Sequence, residues 1–419
     1  MKTKFPSIYP IIFSFTFIFS WWFFAFENLT TSTTTSSENT LESPGLALST
    51  HAILSKVSQL DRNEIQQALA GNFSLMRELI QRWETDAKHL SDHGIPGIQH
   101  LSKDQYFQSC FIEHILSRCP KSIKDQLNRS LRLNSLVDAS NRKVTILDSF
   151  NRFLPQSYIS ASYLLAIAPS DEILAIPKGL RYLSHIYNPV HLNKIPKNSH
   201  QIVGEKLSQS KPDIVFTAPY SHPPLLEMLQ RQKINLYNLH HQNTLKEIQQ
   251  SLLKVGHLSN HILEAQLLSH FIDSCFLAID NRLLVLNYFD ARTPISLLCL
   301  TLHQSFELPT SKSLIGQLLN RATSFYPQIQ CRIPSDENAW SISTNIEKIY
   351  LSNSDVLFIC TSLSAQQKKD QNHFILGQLK AFKNNKIFYF DSALHNSANQ
   401  YIALAYFDLF QSLTSMMIL

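Results

Sequence analysis

KLSQSKPDIVFTAPYSHPPLLEMLQRQKINLYNL, Lys206 to Leu239, is the stretch from which the fold can be worked out. DIVFTA (Asp213–Ala218) and INLYNL (Ile234–Leu239) are short apolar runs of the kind that form buried strands. Between them, PPLLEMLQ (Pro223–Gln230) opens on two prolines. Proline suits a helix's first turn, where the N–H it lacks would have no intrahelical partner. Strand, helix, strand predicts a parallel pair joined by a helical crossover. Parallel neighbours end on the same sheet edge, so the loops PYSHPP and His240-His241 should meet there.

The alternation continues outward. KVTILD (Lys143–Asp148) and ILAIP (Ile173–Pro177) predict two earlier strands. From Leu258 to Ile279 apolar residues recur every three or four positions without glycine or proline, which predicts one long helix. A second α/β set follows, with strands at LLVLNYF (Leu283–Phe289), DVLFIC (Asp355–Cys360) and KIFYFD (Lys386–Asp391). Its helices are SLIGQLLNRA (Ser313–Ala322) and Tyr401–Leu413. The expected class is α/β: two α/β lobes joined by one long helix, preceded by an N-terminal membrane helix and a small helical region. The lobes are expected over 141–257 and 281–419, and the inter-lobe helix over 258–280.

Residues 46–140 read as helical. Leu75, Leu79 and Trp83 are spaced by four, IPG at Ile95–Gly97 breaks the pattern, and Phe107, Phe111 and Ile115 resume it before Pro120. Glu113-His114 has no second histidine to complete HExxH, so it reads as a surface pair. At the N-terminus, Lys2 and Lys4 precede an apolar run from Tyr9 to Phe26. Its basic start and its length, about the 18 residues that begin to suffice for a span, predict a signal anchor over 1–27, favoured over the alternative of a cleaved signal because no A-x-A site follows. TSTTTSSENT (Thr31–Thr40) then reads as a flexible linker, bounded at 28–45. The positive flank predicts a body held outside the inner membrane, in the periplasm.

Composition narrows the function. A net charge of +5 over 419 residues, with no basic stripe interleaved with aromatics, argues against nucleic acid. Nine glycines, with neither GxGxxG nor GxxxxGK[ST], leave nothing to cradle a nucleotide phosphate. No nucleophile elbow appears, so an enzyme is not expected. The six cysteines form no CxxC pair. Cys110 and Cys119 fall in one segment and could pair in an oxidising compartment; the simpler reading makes all six small buried hydrophobes.

The order of these segments resembles the periplasmic substrate-binding proteins of ABC transporters, metal-chelate type, with a single rigid helix between the lobes. The resemblance runs from Lys143 to Leu413. It rests on LAIAPSDEILAIP (Leu165–Pro177), the KPD-strand-loop-helix stretch quoted first, TLKEIQQSLLKVGHLSN (Thr244–Asn260), SLIGQLLNRA and LKAFKNNKIFYFD (Leu379–Asp391). Two departures stand out. The C-lobe loop TPISLLCLTLHQSFELPTS (Thr293–Ser311) lacks the family's glycines, and an anchor replaces a lipid-bearing cysteine. The resemblance implies an iron-siderophore, haem or cobalamin ligand in the inter-lobe cleft and an ABC-transporter permease as partner. The alternatives are a haem or metal sensor or scavenger without a transporter, and a two-lobed enzyme with a repurposed cleft.

Placing the ligand at strand carboxyl ends makes Tyr187, Tyr220, Ser221, His222, His240 and His241 the N-lobe candidates, and Tyr288, Arg292 and His303 the C-lobe ones. Histidine and tyrosine can ligate iron directly or through haem, or stack on an organic chelate. Arginine can pair with a carboxylate.

Overall fold

The computed structural model of the chain describes residues 57–146, 150–201, 205–221, 223–289, 294–302, 305–336, 339–362 and 376–418. The expected anchor and linker lie outside the described residues.

Among the described residues, four helices come first: α1 (Arg62–Leu69), α2 (Phe73–Asp92), α3 (Lys103–Arg118) and α4 (Lys121–Leu131). Asp61, Asn72 and Ser102 cap the first three by accepting from free N–H groups at the helix starts. Met76, Leu79, Ile80, Trp83, Ala87 and Leu90 form the buried stripe of α2. In α3 the buried residues are Ser109, Ile112, Glu113 and Ile115, while Phe107 and Phe111 face outward. Polar bonds set this roll: Gln105 donates to Asp273, and Ser109 pairs with His270. Glu113 is likewise buried, in an ion pair with Arg77.

The first lobe holds a hairpin, β1 (Ser135–Val137) with β2 (Lys143–Thr145), and a parallel sheet ordered β3-β4-β5 (Phe153–Pro155, Ile214–Thr217, Leu236–Asn238). Its helices are α5 (Tyr158–Ile167), α6 (Pro189–Asn193), α7 (Glu205–Ser210), α8 (Pro223–Arg231) and α9 (Leu245–Ser259). DIVFTA and INLYNL are neighbouring strands, as their spacing predicts. KVTILD contributes only the antiparallel β2, and the sheet starts instead at FLP, Phe153–Pro155. ILAIP makes single bridges, from Ile173 to Phe153 and from Ile176 to Asn198. Pro169 and Pro177 bracket this run, and a chain that lacks N–H donors at both ends has little room for a ladder.

Asn260, with φ of 59°, ends α9 in the left-handed region, so the stretch from Leu258 is two helices. The second, α10, runs from Ile262 to Phe289 and absorbs the predicted strand LLVLNYF. No glycine or proline follows until Pro294, and a short apolar run buried on most sides does not distinguish strand from core helix.

The second lobe comprises β6 (Ile295–Leu302), β7 (Phe306–Pro309), α11 (Leu314–Phe325), β8 (Ile329–Cys331), β9 (Ser341–Ser343), α12 (Ile346–Ser352) and β10 (Val356–Thr361). It ends with α13 (Lys380–Lys383), β11 (Ile387–Asp391), α14 (Ser392–His395) and α15 (Ile402–Ile418). The sheet order is β11-β10-β6-β7-β9, with β8 also on β6. The segment read as a C-lobe loop is therefore the antiparallel β6–β7 pair. One core runs through the helical layer, α10 and both lobes, with smaller clusters on the outer faces of the two sheets. All six cysteines are free thiols, with Cys110 and Cys119 half-buried.

Candidate functional site

A cavity of about 360 Å³ opens between the lobes. Pro219 and Tyr220 reach it from the loop after β4, and His240 to Asn243 from the loop after β5. Both loops leave the carboxyl edge of the parallel sheet, where open α/β sheets bind ligands. Glu307 and Pro309 on β7, Leu314 and Ile315 at the start of α11, and Trp340 form the opposite wall.

The N-lobe wall is locally braced. Ser221 Oγ accepts from the Ala218 amide and Ser221 N–H donates to the Ala218 carbonyl, closing the turn that carries Tyr220. Tyr220 is 68% exposed at the rim, yet neighbouring atoms desolvate its hydroxyl enough to raise its pKa, with Tyr158 adding to the effect. Burial, then the Lys254 ammonium, lowers the His240 pKa. Lys254 Nζ stands 3.5 Å from His240 Nδ1, which disfavours a charged ring. Gln242 is held beneath, its Oε1 3.2 Å from the Tyr163 hydroxyl.

On the C-lobe wall the Ser341 hydroxyl donates to the Glu307 carboxylate across the β7–β9 ladder. Trp340 is 45% exposed, with the Lys312 ammonium 5.4 Å from its ring centroid. The cavity is thus mostly apolar and aromatic, with a few placed polar groups, the usual make-up of a small-molecule site. Among the described residues, no three His, Cys, Asp or Glu side chains gather as a metal-ligand set.

Of the sequence candidates, the structure brings Tyr220, His240 and His241 together at the cavity, and Ser221 holds the turn beside them. Tyr187 is elsewhere. It is 4% exposed, hydrogen-bonded to Ser162, packed against Tyr401 at 5.0 Å, and raised to about pKa 12 by burial. It is a core side chain, because the turn after Lys178–Tyr182 points it inward. Tyr288 lies near the C-terminal end of α10 and does not line the cavity. His222, Arg292 and His303 fall outside the described residues. Gln242, Glu307 and Trp340 were not foreseen. The alternation in FELP was the one available signal for β7, and it is short.

Two α/β lobes, a connecting helix and a cleft walled by strand-end loops define a two-lobed solute-binding protein. The sequence matches the model of the family described as periplasmic binding protein over residues 177–394, just over half its length, and the chain belongs to that family. The fold is similar to that of a possible iron-binding (periplasmic solute-binding) protein from Staphylococcus epidermidis. That match has a TM-score of 0.51 and 13% identity, and covers 64% of this chain and 99% of that one. It is also similar to a petrobactin-binding protein from Bacillus subtilis, with a TM-score of 0.51 and 14% identity over 67% of this chain and 98% of that one. A periplasmic heme-binding protein from Roseiflexus gives 0.50 and 12% identity over 64% and 99%. At these identities the likeness establishes the fold. A comparison with curated protein sequences finds no match.

Proposed function

We propose that this protein captures a metal chelate (an iron-siderophore, haem or cobalamin complex) in the inter-lobe cleft and presents it to the permease of an ABC importer. Its body works outside the cytoplasm, held at the inner membrane by the apolar segment Tyr9–Phe26. The family is one of ABC-transporter substrate-binding proteins, and structural neighbours are named for iron, petrobactin and heme. The observation that carries the reading is the cavity. Its described walls bring aromatic and hydrogen-bonding side chains, Tyr220, Trp340, His240 and Glu307, to one place. Such a set suits the organic shell of a chelate, by stacking and by hydrogen bonds. Tyr220, Ser221, His240 and His241 form the N-lobe wall in this proposal, and His222, Arg292 and His303, outside the described residues, are further candidates for the ligand.

Absorption spectroscopy and mass spectrometry of protein purified from its own host test the reading. A metal chelate recovered in near-equal amount with the protein, and lost when Tyr220 and Trp340 are both replaced by alanine, is the expected result. A Soret band would identify haem. A protein that carries a non-chelate metabolite and turns it over would overturn the proposal in favour of an enzyme.

A further inference from the structure

The two walls of the inter-lobe cavity differ in charge. On the first lobe the polar side chains are Tyr220, His240, His241, Gln242 and Asn243, none of them a carboxylate. On the second lobe Glu307 lines the cavity, and among the described residues no lysine or arginine does so. Lys254 is taken up beside His240 and Lys312 on the Trp340 ring, and neither is part of the lining.

Glu307 is half-buried and fixed in place. It stands on β7 opposite Thr301 of β6 and Ser343 of β9. The Ser341 hydroxyl donates to its Oε2. No ion pair reaches Glu307 among the described residues, and no hydrogen bond there takes up its Oε1. A partly desolvated carboxylate without a counter-charge is costly unless water or a ligand answers it.

Trp340 is fastened next to this carboxylate. The Thr310 amide donates to the Trp340 carbonyl at 3.0 Å, and the Thr310 hydroxyl donates to the Ala339 carbonyl at 2.5 Å. The indole therefore has a set position one residue before Ser341. Its face already draws a cation, the Lys312 ammonium. Tyr220 brings a second exposed ring from the facing wall. Aromatic faces and a carboxylate are together the complement of an organic ammonium. Ring quadrupole and charge both attract it, and both disfavour an anion.

We propose that the captured chelate carries a protonated amine, and that Glu307 receives it beside the Trp340 ring. This rests on the reading of the cleft as a chelate site and narrows it. A siderophore that ends in a free ammonium fits the second-lobe wall, whereas a chelate with outward carboxylates, such as haem with its propionates, meets Glu307 as a like charge.

The test is calorimetric titration of the full purified chain. The probes are ferrioxamine B, a linear ferric trihydroxamate that ends in a free ammonium, and the same chelate with that amine acetylated. The free-amine chelate should bind about tenfold more tightly, or better. Added salt should narrow the gap. Glu307→Gln keeps an oxygen for Ser341; it should close the gap by weakening the free-amine chelate alone, with urea unfolding unchanged. Equal affinity for the two chelates in the parent overturns the proposal. So does a gap that survives in Glu307→Gln, or haem bound more tightly than ferrioxamine B. Pentylammonium, a cation with no chelate, separates this inference from the reading beneath it. Pentylammonium bound through Glu307 while neither chelate binds would uphold the ammonium site and overturn chelate capture. Failure of Glu307 to matter for any of the three probes would overturn the site itself.

Discussion

Tyr220 and Tyr187 are both loop tyrosines that follow apolar runs, and the fold uses them in opposite ways. Tyr220 stands exposed at the cleft, so its side chain contributes little to folding and is available to a ligand. Tyr187 is sealed in the core by Ser162 and Tyr401. Local sequence does not separate them, because the partners of Tyr187 come from distant parts of the chain. The same limit hid Glu307 and Trp340, whose placement depends on pairing between β7 and β9. By contrast, His240 and His241 were legible, since they directly follow a strand whose parallel neighbour was equally clear. Tyr220→Ala should weaken binding of the co-purified ligand by more than tenfold, about 1.4 kcal/mol, in a fluorescence titration. Denaturant unfolding of that variant should stay within about 0.5 kcal/mol of the parent, as for exposed side chains generally. Unchanged affinity would remove Tyr220 from the site.

At the scale of elements, the long apolar stretches show where sequence reading succeeds and where it stops. DIVFTA, INLYNL, DVLFIC and KIFYFD all form strands, because turn residues bracket each one. LLVLNYF follows Asp280-Asn281-Arg282, which reads as a turn, yet stays helical, with Asp280 and Arg282 taken up in ion pairs to Arg321 and Asp86. Residues 258–279 lack glycine and proline too, yet Asn260 divides them, since asparagine tolerates the left-handed conformation better than most residues. His261 sits in this break. Its Nε2 is 2.9 Å from Glu172 and its Nδ1 3.7 Å from Glu264. Burial opposes its charge, but the hydrogen bond to Glu172 and the nearby Glu264 carboxylate outweigh that and raise its pKa to about 9. Because the folded pKa exceeds the unfolded value of about 6.5, the stabilisation is complete below that pH and is lost as pH rises through about 9; its size is of the order of 3 kcal/mol. His261→Gln should therefore destabilise most near pH 6, with the difference from the parent shrinking toward pH 10 in urea titrations. A difference that does not vary with pH would contradict the charged-histidine account.

Across the whole molecule, the helical layer touches both lobes at once. Arg62 of α1 donates to Asp408 of α15 at 2.9 Å, and Gln66, one turn on, donates to the first-lobe carbonyls of His185 and Ile186 at 3.1 and 2.9 Å. Arg282 of α10, 5% exposed, binds Asp86 of α2, and His185 pairs with Asp391 across the lobes. With α10 continuous beneath, relative motion of the lobes would have to break the part-buried Arg62–Asp408 pair, the Gln66 bonds and the more exposed His185–Asp391 contact. X-ray scattering of the body should therefore give superimposable curves with and without ligand; a clear compaction on binding would refute this. The Arg62–Asp408 contact also has a meaning in time. A chain exported N-terminus first delivers α1 long before its partner, 346 positions later. At synthesis speeds of roughly 5–20 residues per second, that gap is on the order of 20–70 s. Throughout that interval α1 and the part of α10 that α15 covers wait for the last helix, and loss of α15 should leave α1, the earliest-made of these, exposed and protease-sensitive.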